Sequence, residues 1–224
     1  MEDLNEIDEI VVTGGRPLHG TVRIQGSKNT ALPVMAAALL SSGTSVLREC
    51  PKITDVFLME KILRELGART WWEGHDLYLD CSHADGTVIP EHFSGKMRSS
   101  VILMGAMLGR NGKAQTGYPG GCVIGKRPVD LHIQVLQKLG ARIVENGSEI
   151  QAACGKLKGA EIIFPKSSVG ATEQGILAAV LAEGKTVLSG CAREPEINWL
   201  CQYLTGMGAV SYTHLRAHET LSDL

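Results

Sequence analysis

The chain has 224 residues, long enough to bury a sizeable core, and its 44% hydrophobic and 21% charged content is that of an ordinary globular protein of one domain or two small ones. A formal net charge of -2, with Lys and Arg scattered mostly singly, argues against a nucleic-acid or lipid-headgroup footprint, so any anion site must be local. Six cysteines (50, 81, 122, 154, 191 and 201) show neither CxxC spacing nor the density of a disulfide scaffold, which points to reduced thiols in a cytoplasmic setting and away from structural zinc. The first ten residues are acidic, and the longest apolar run, 31–40, is too short to cross a bilayer and contains Pro33; neither a signal peptide nor a transmembrane helix is expected.

In chain order, a strand at 21–24 leads into a helix at 31–40 that is apolar almost all round and therefore expected to be buried. A strand at 44–47, an amphipathic helix at 55–66 stopped by Gly67, and paired strands at 69–72 and 77–80 follow; Trp71 and Trp72 end a strand and read as structural. The same order recurs as an apolar helix at 99–108, an amphipathic helix at 129–139 ending at Gly140, and strands at 142–145 and 149–152. It recurs again as a strand at 161–164, helices at 171–182 and 196–207 around a strand at 186–188, and Gly208. A shift of 141 lays Ser27 on Ser168, Gly43 on Gly184, Cys50 on Cys191, Gly67 on Gly208 and Ala68 on Ala209 without a gap. A middle copy aligns at 69 for Gly43 on Gly112 and at 73 for Gly67 on Gly140, so four extra residues fall in the stretch holding Tyr118 to Cys122. The reading is an α/β domain over 21–210 with pseudo-threefold units at about 21–85, 90–155 and 160–210, preceded by a segment, 1–20. Residues 211–224, SYTHLRAHETLSDL, lack the strand pair due there and resemble a translated sequencing-library adaptor; they are expected to be read-through from a truncated gene, with a divergent polar tail as the alternative.

The inserted stretch, YPGGCVIGKRPVDLHIQVLQKL, concentrates chemistry. A lone cysteine is ordinarily a small buried apolar residue. Here Gly120 and Gly121 precede Cys122, while Lys126, Arg127 and a helix start at Pro128 follow, all of which favour a reactive thiol. Ser27-Lys28-Asn29, Lys96-Met97-Arg98 and Ser168-Val169-Gly170 occupy equivalent places before the buried helices. A threefold arrangement brings those positive helix ends together with Lys28, Arg98, Arg127 and Lys166, an anion pocket suited to a doubly anionic substrate. Glu194 and Glu196 are weaker candidates, Glu196 reading as a first-turn acid. His132 reads as packing or as support for a neighbouring ligand group.

These residues carry a resemblance. GSKNTALP (26–33), KMRSSV (96–101), PGGCVIGKRPVDLH (119–132), SVGAT (168–172) and AREPEI (192–197) resemble, in order and over residues 10 to about 209, the UDP-N-acetylglucosamine 1-carboxyvinyltransferases of the enolpyruvyl transferase family. The resemblance implies an inside-out α/β barrel of three βαβαββ-type repeats, one of two such domains in the family. It implies transfer of the enolpyruvyl group of phosphoenolpyruvate to the 3-hydroxyl of UDP-N-acetylglucosamine, without metal or organic cofactor, at the start of peptidoglycan precursor synthesis. By the matching motifs, Lys28 and Asn29 would hold phosphoenolpyruvate and Cys122 would deliver a proton to C3. Arg98, Arg127, Pro128, Val129, Asp130, Leu131, Lys166, Ser168, Val169 and Gly170 would serve the nucleotide sugar or phosphate. The family's second domain has no counterpart here, so little or no turnover is expected of this chain. Two other readings are a 3-phosphoshikimate 1-carboxyvinyltransferase, disfavoured by Cys122, and a catalytically dead module that binds sugar nucleotides. Partners are expected to be small molecules, with neither nucleic acid nor membrane among them.

Overall fold

The computed structural model describes residues 11–17, 19–119 and 129–211. The first group of elements is α1 (Lys28–Ala38), β1 (Thr44–Leu47), α2 (Thr54–Glu65), β2 (Arg69–Glu73) and β3 (Asp76–Asp80). The second comprises β4 (Val88–Ile89), α3 (Glu91–Ser94), a 3-10 turn at Arg98–Ile102 running into α4 (Leu103–Asn111), β5 (Lys113–Gly117), α5 (Asp130–Lys138), β6 (Arg142–Asn146) and β7 (Glu149–Ala153). The last is β8 (Glu161–Ile163), α6 (Val169–Ala179), β9 (Val187–Ser189) and α7 (Pro195–Gly206). The strands form three small sheets in the orders β1-β3-β2, β4-β5-β7-β6 and β8-β9.

Period and composition account for these elements. In α2, Val56, Met59, Ile62 and Leu63 fall on one face and are buried, and the helix stops where Gly67 takes a φ of 99°. Gly140 and Gly208 do the same after α5 and α7, at 94° and 98°. Buried Glu60 ties α2 to the sheet beside it: Oε1 accepts from Arg64 at 2.6 Å and from the Thr70 hydroxyl at 2.6 Å, and Oε2 accepts from Trp72 Nε1 at 3.1 Å. Trp71 stacks on Tyr78 with ring centroids 5.0 Å apart. Both tryptophans are therefore held in sheet packing.

The helices α1, α4 and α6 touch one another and form the middle of the core. Small residues permit the approach: a Cβ on Gly105 of α4 would stand 2.7 Å from the carbonyl oxygen of Gln174 on α6. At their far ends Arg110 of α4 donates to the carbonyls of Leu39 and Ser41, at 2.7 and 2.9 Å, placing a cation where the dipole of α1 is negative. A Cβ on Gly109 would meet Leu40 and Leu181, just past α1 and α6. The three C-terminal ends thus gather together, and the three starts lie at the opposite side. Tyr203 of α7 donates to Ser45 of β1 at 2.5 Å, joining the last group to the first.

Three expectations change. Residues 21–24 form no strand: Val22 and Ile24 are 80% and 84% exposed, and the segment is held by Arg23–Glu49 at 2.6 Å and by Lys52 N–H on the Gln25 side chain at 3.1 Å. Strand formation needs a partner edge, and among the described residues β1 pairs with β3 alone, whereas β5 and β9 each take a parallel neighbour, β4 and β8. The helix expected at 99–108 opens instead as a 3-10 turn, a common way to begin a helix. The helix α3 and the two-residue β4 are additions too short to leave a periodic signal.

Candidate functional site

At the gathered helix starts lies a cavity of about 410 Å³. Lys28 and Asn29 of α1, Arg98 of the 3-10 turn, and Val169 and Gly170 of α6 line it together, so five of the sequence-predicted site residues meet in one place. Local structure explains the placement. The backbone at Ser27, Met97 and Ser168 is extended, and each helical segment begins at the next residue, leaving its first amide donors without intrahelical acceptors. Ser168 serves α6 itself, its hydroxyl accepting from Ala171 N–H at 3.4 Å. Pro33, which also lines the cavity, has no N–H to give the carbonyl of Asn29 four residues earlier, so that carbonyl stays available beside the Asn29 side chain.

Other expected residues fall elsewhere. Lys166 is exposed and is not among the lining residues. Val129 is buried and Asp130 exposed, at the start of α5, while Leu131 lines a separate groove of about 260 Å³ between α5 and β8. Cys122, Lys126, Arg127 and Pro128 lie outside the described residues.

The lining is not purely cationic. Asp55, Glu173 and Glu196 share it with Lys28, Lys96 and Arg98. Asp55 pairs with Lys28 at 2.9 Å, but both side chains are substantially exposed. Such a pair is worth about 0–1 kcal/mol, weak enough for a ligand anion to take over the ammonium. Glu173 differs. It is 7% exposed, and among the described residues its carboxylate has neither a hydrogen bond nor an ion pair. Burial, with the charges of Glu196 and Glu194 added, pushes its pKa up to about 7. His132 of α5 is buried beside it in the lining; its Nδ1 lies 2.5 Å from Gln174 Oε1. Burial brings its pKa down to about 4, the Gln174 hydrogen bond opposing and Arg98 adding to the fall, so the ring is neutral at pH 7. A Cβ on Gly170 would stand 3.0 Å from its Cε1 and 3.2 Å from its Nε2, a contact that the ring would have to yield to by a few tenths of an ångström, so glycine lets the first turn of α6 sit against the ring undisturbed.

The three acids were only half visible in sequence. Asp55 and Glu196 look like first-turn acids, and they are, but the same position also faces the cavity. For Glu173 the available signal was the polar run Thr172-Glu173-Gln174 inside an otherwise apolar helix; all three are buried. Elsewhere, burial lifts Cys50 to about 12 and Cys81 to about 11, so neither offers a thiolate.

Comparison with known proteins follows this geometry. Residues 12–217 match the profile of EPSP synthase (3-phosphoshikimate 1-carboxyvinyltransferase). The chain belongs to the EPSP synthase family. Among individual enolpyruvyl transferases, it is 48% identical over 202 residues to the UDP-N-acetylglucosamine 1-carboxyvinyltransferase of Wolbachia pipientis wMel, covering 87% of this chain and 48% of that protein. It is 45% identical over 223 residues to the protein of the same name from Chlorobium chlorochromatii (strain CaD3), covering 96% and 53%. The fold matches the enolpyruvyl transferase NikO from Streptomyces tendae with a TM-score of 0.79 at 22% identity, over 90% of this chain and 48% of that one. The expected enolpyruvyl transferase-type α/β fold is thus found, and the chain spans about half the length of the curated relatives it matches. Among the described residues no helix is long and apolar enough to cross a membrane.

Proposed function

We propose that the protein from which this chain derives transfers the enolpyruvyl group of phosphoenolpyruvate to the 3-hydroxyl of UDP-N-acetylglucosamine and releases phosphate, committing the sugar to peptidoglycan precursor synthesis in the cytoplasm. The supporting observation is the cavity that unites Lys28, Asn29 and Arg98 with the first turn of α6. Cations and helix-start amide donors fixed in advance around it suit charge that grows on carboxylate and phosphate oxygens in the transition state. In this reading Lys28 and Asn29 hold phosphoenolpyruvate, and Arg98, Arg127, residues 128–131, Lys166 and residues 168–170 hold the nucleotide sugar or phosphate. Cys122 gives its proton to C3 as the sugar hydroxyl, losing its own proton to a base, attacks C2. The tetrahedral ketal then loses a proton from C3 and expels phosphate, which restores the double bond.

Residues 21–210 act as one domain of three units in this reading, at about 21–85, 90–155 and 160–210. Residues 211–224 take no part in it. Holding two substrates in a closed cleft supplies about 7–11 kcal/mol of a barrier, against about 10²- to 10⁴-fold for one general acid. A single domain of this kind without that cleft therefore binds but hardly turns over. The test is phosphate release from phosphoenolpyruvate that depends on UDP-N-acetylglucosamine. A full-length parent turns over and its Cys122→Ser variant loses about 10²-fold or more while keeping nucleotide-sugar affinity. A parent without turnover, or a variant at parental rate, overturns the proposal. The family description keeps a second reading in view, 3-phosphoshikimate 1-carboxyvinyltransferase. It requires shikimate 3-phosphate, rather than the nucleotide sugar, to raise the melting temperature.

A further inference from the structure

Glu173 is the one cavity-lining group whose environment has no explanation within the described fold. It sits one turn into α6, more than nine-tenths buried, and its carboxylate faces the cavity with neither a hydrogen bond nor an ion pair among the described residues. The surrounding charges do not favour its ionised form. From α7 come Glu196 and, just before it, Glu194; α2 brings Asp55, already engaged with Lys28 at the start of α1. Lys96, just after α3, and Arg98, at the start of the 3-10 turn, also line the cavity, and α5 contributes the neutral His132. Arg110, the charged residue of α4, is turned away to the carbonyls of Leu39 and Ser41. A buried acceptor-only group beside the place where anions are to bind repels them; the same group carrying a proton becomes an O–H donor that attracts them.

We propose that Glu173 is an additional ligand-binding residue of the cavity, taking up one proton from solvent as an anionic substrate group enters and donating that O–H to a ligand oxygen. The uptake forms one O–H bond and breaks none in the ligand. It rests on the reading of the cavity as a nucleotide-sugar site. The free carboxyl titrates near pH 7, so the protonation step is nearly free of cost below that value and becomes costly above it.

The test is the pH dependence of UDP-N-acetylglucosamine binding to the 224-residue chain, followed by amide chemical shifts between pH 6.0 and 8.0, where the ligand's diphosphate keeps constant charge. Wild-type affinity is expected to fall toward about tenfold per pH unit above 7, and Glu173→Gln to show a flat profile and tighter binding than wild type at pH 8.0. Wild-type carboxyl carbon resonances give an answer without the variant: one glutamate midpoint near 7 that rises when ligand is added. Binding with a flat wild-type profile overturns this proposal and leaves the nucleotide-sugar reading standing. Absence of binding even at pH 6.0 overturns that reading, and this one with it.

Discussion

Replacing Glu173 by Gln in the ligand-free chain should make the protein more stable, and only at high pH. In the folded chain the carboxyl titrates at about 7 against an ordinary value of 4.5, so the folded state binds its proton more tightly than the unfolded state does. Stability is therefore lost as pH climbs from 4.5 to 7, and the displacement corresponds to about 3 kcal/mol at completion. His132 works in the opposite sense. Its folded value of about 4 lies below the ordinary 6.5, so the unfolded state binds the proton more tightly and stability is gained as pH climbs through nearly the same window, again by about 3 kcal/mol. In the wild type these two slopes largely cancel between pH 4.5 and 6.5. Gln keeps the shape and removes the charge, exposing the His132 slope alone. Urea unfolding at fixed pH should show the variant within about 0.5 kcal/mol of wild type at pH 4 and above it by up to about 3 kcal/mol at pH 8, a midpoint shift of about 1 M. A variant less stable than wild type at pH 8, or equally stabilised at both, would mean that burial does not hold the Glu173 carboxyl protonated.

Three further outcomes follow from single contacts. Glu60→Ala removes the acceptor of the Thr70 and Trp72 donors, while Arg64 keeps the Thr70 hydroxyl and carbonyl, and should cost about 1–3 kcal/mol in urea unfolding, with Glu60→Gln milder because it keeps part of the network. Gly105→Ala drives a methyl to 2.7 Å from the Gln174 carbonyl and should cost about 1–3 kcal/mol; an unchanged melting temperature would mean that α4 and α6 are less tightly apposed. Iodoacetamide at pH 8 should leave Cys50 and Cys81 unmodified in the native chain while labelling both after denaturation, as peptide mass spectrometry would read directly.

Much of this molecule is legible from residue order because its elements obey local rules. The amphipathic stripe of α2, the glycine stops at 67, 140 and 208, and the tight β2–β3 and β6–β7 hairpins each announce themselves within a dozen residues. The apolar helices likewise declare their own burial. Pairing across distance is what local pattern does not carry: Val22 and Ile24 alternate as a strand should, yet no edge receives them among the described residues. The site divides in the same way. Lys28 and Arg98 are legible as cations at helix starts, and Asn29, Val169 and Gly170 through the resemblance that their motifs carry. Glu196 reads as serving its own helix, and Asp55 sits in the same first-turn position of α2; a first-turn acid looks the same whether or not it also borders a cavity. Glu173 belongs to no start at all, and only the helical elements packed around α6 make it part of the pocket.

Titrating the isotope-labelled chain with UDP-N-acetylglucosamine and recording which backbone amides move tests most directly whether the converging helix starts are a binding site. The account predicts the largest shifts at Lys28, Asn29, Arg98, Val169 and Gly170, the residues drawn together around one cavity. Saturable shifts confined to other surfaces, with these five unmoved, would contradict it.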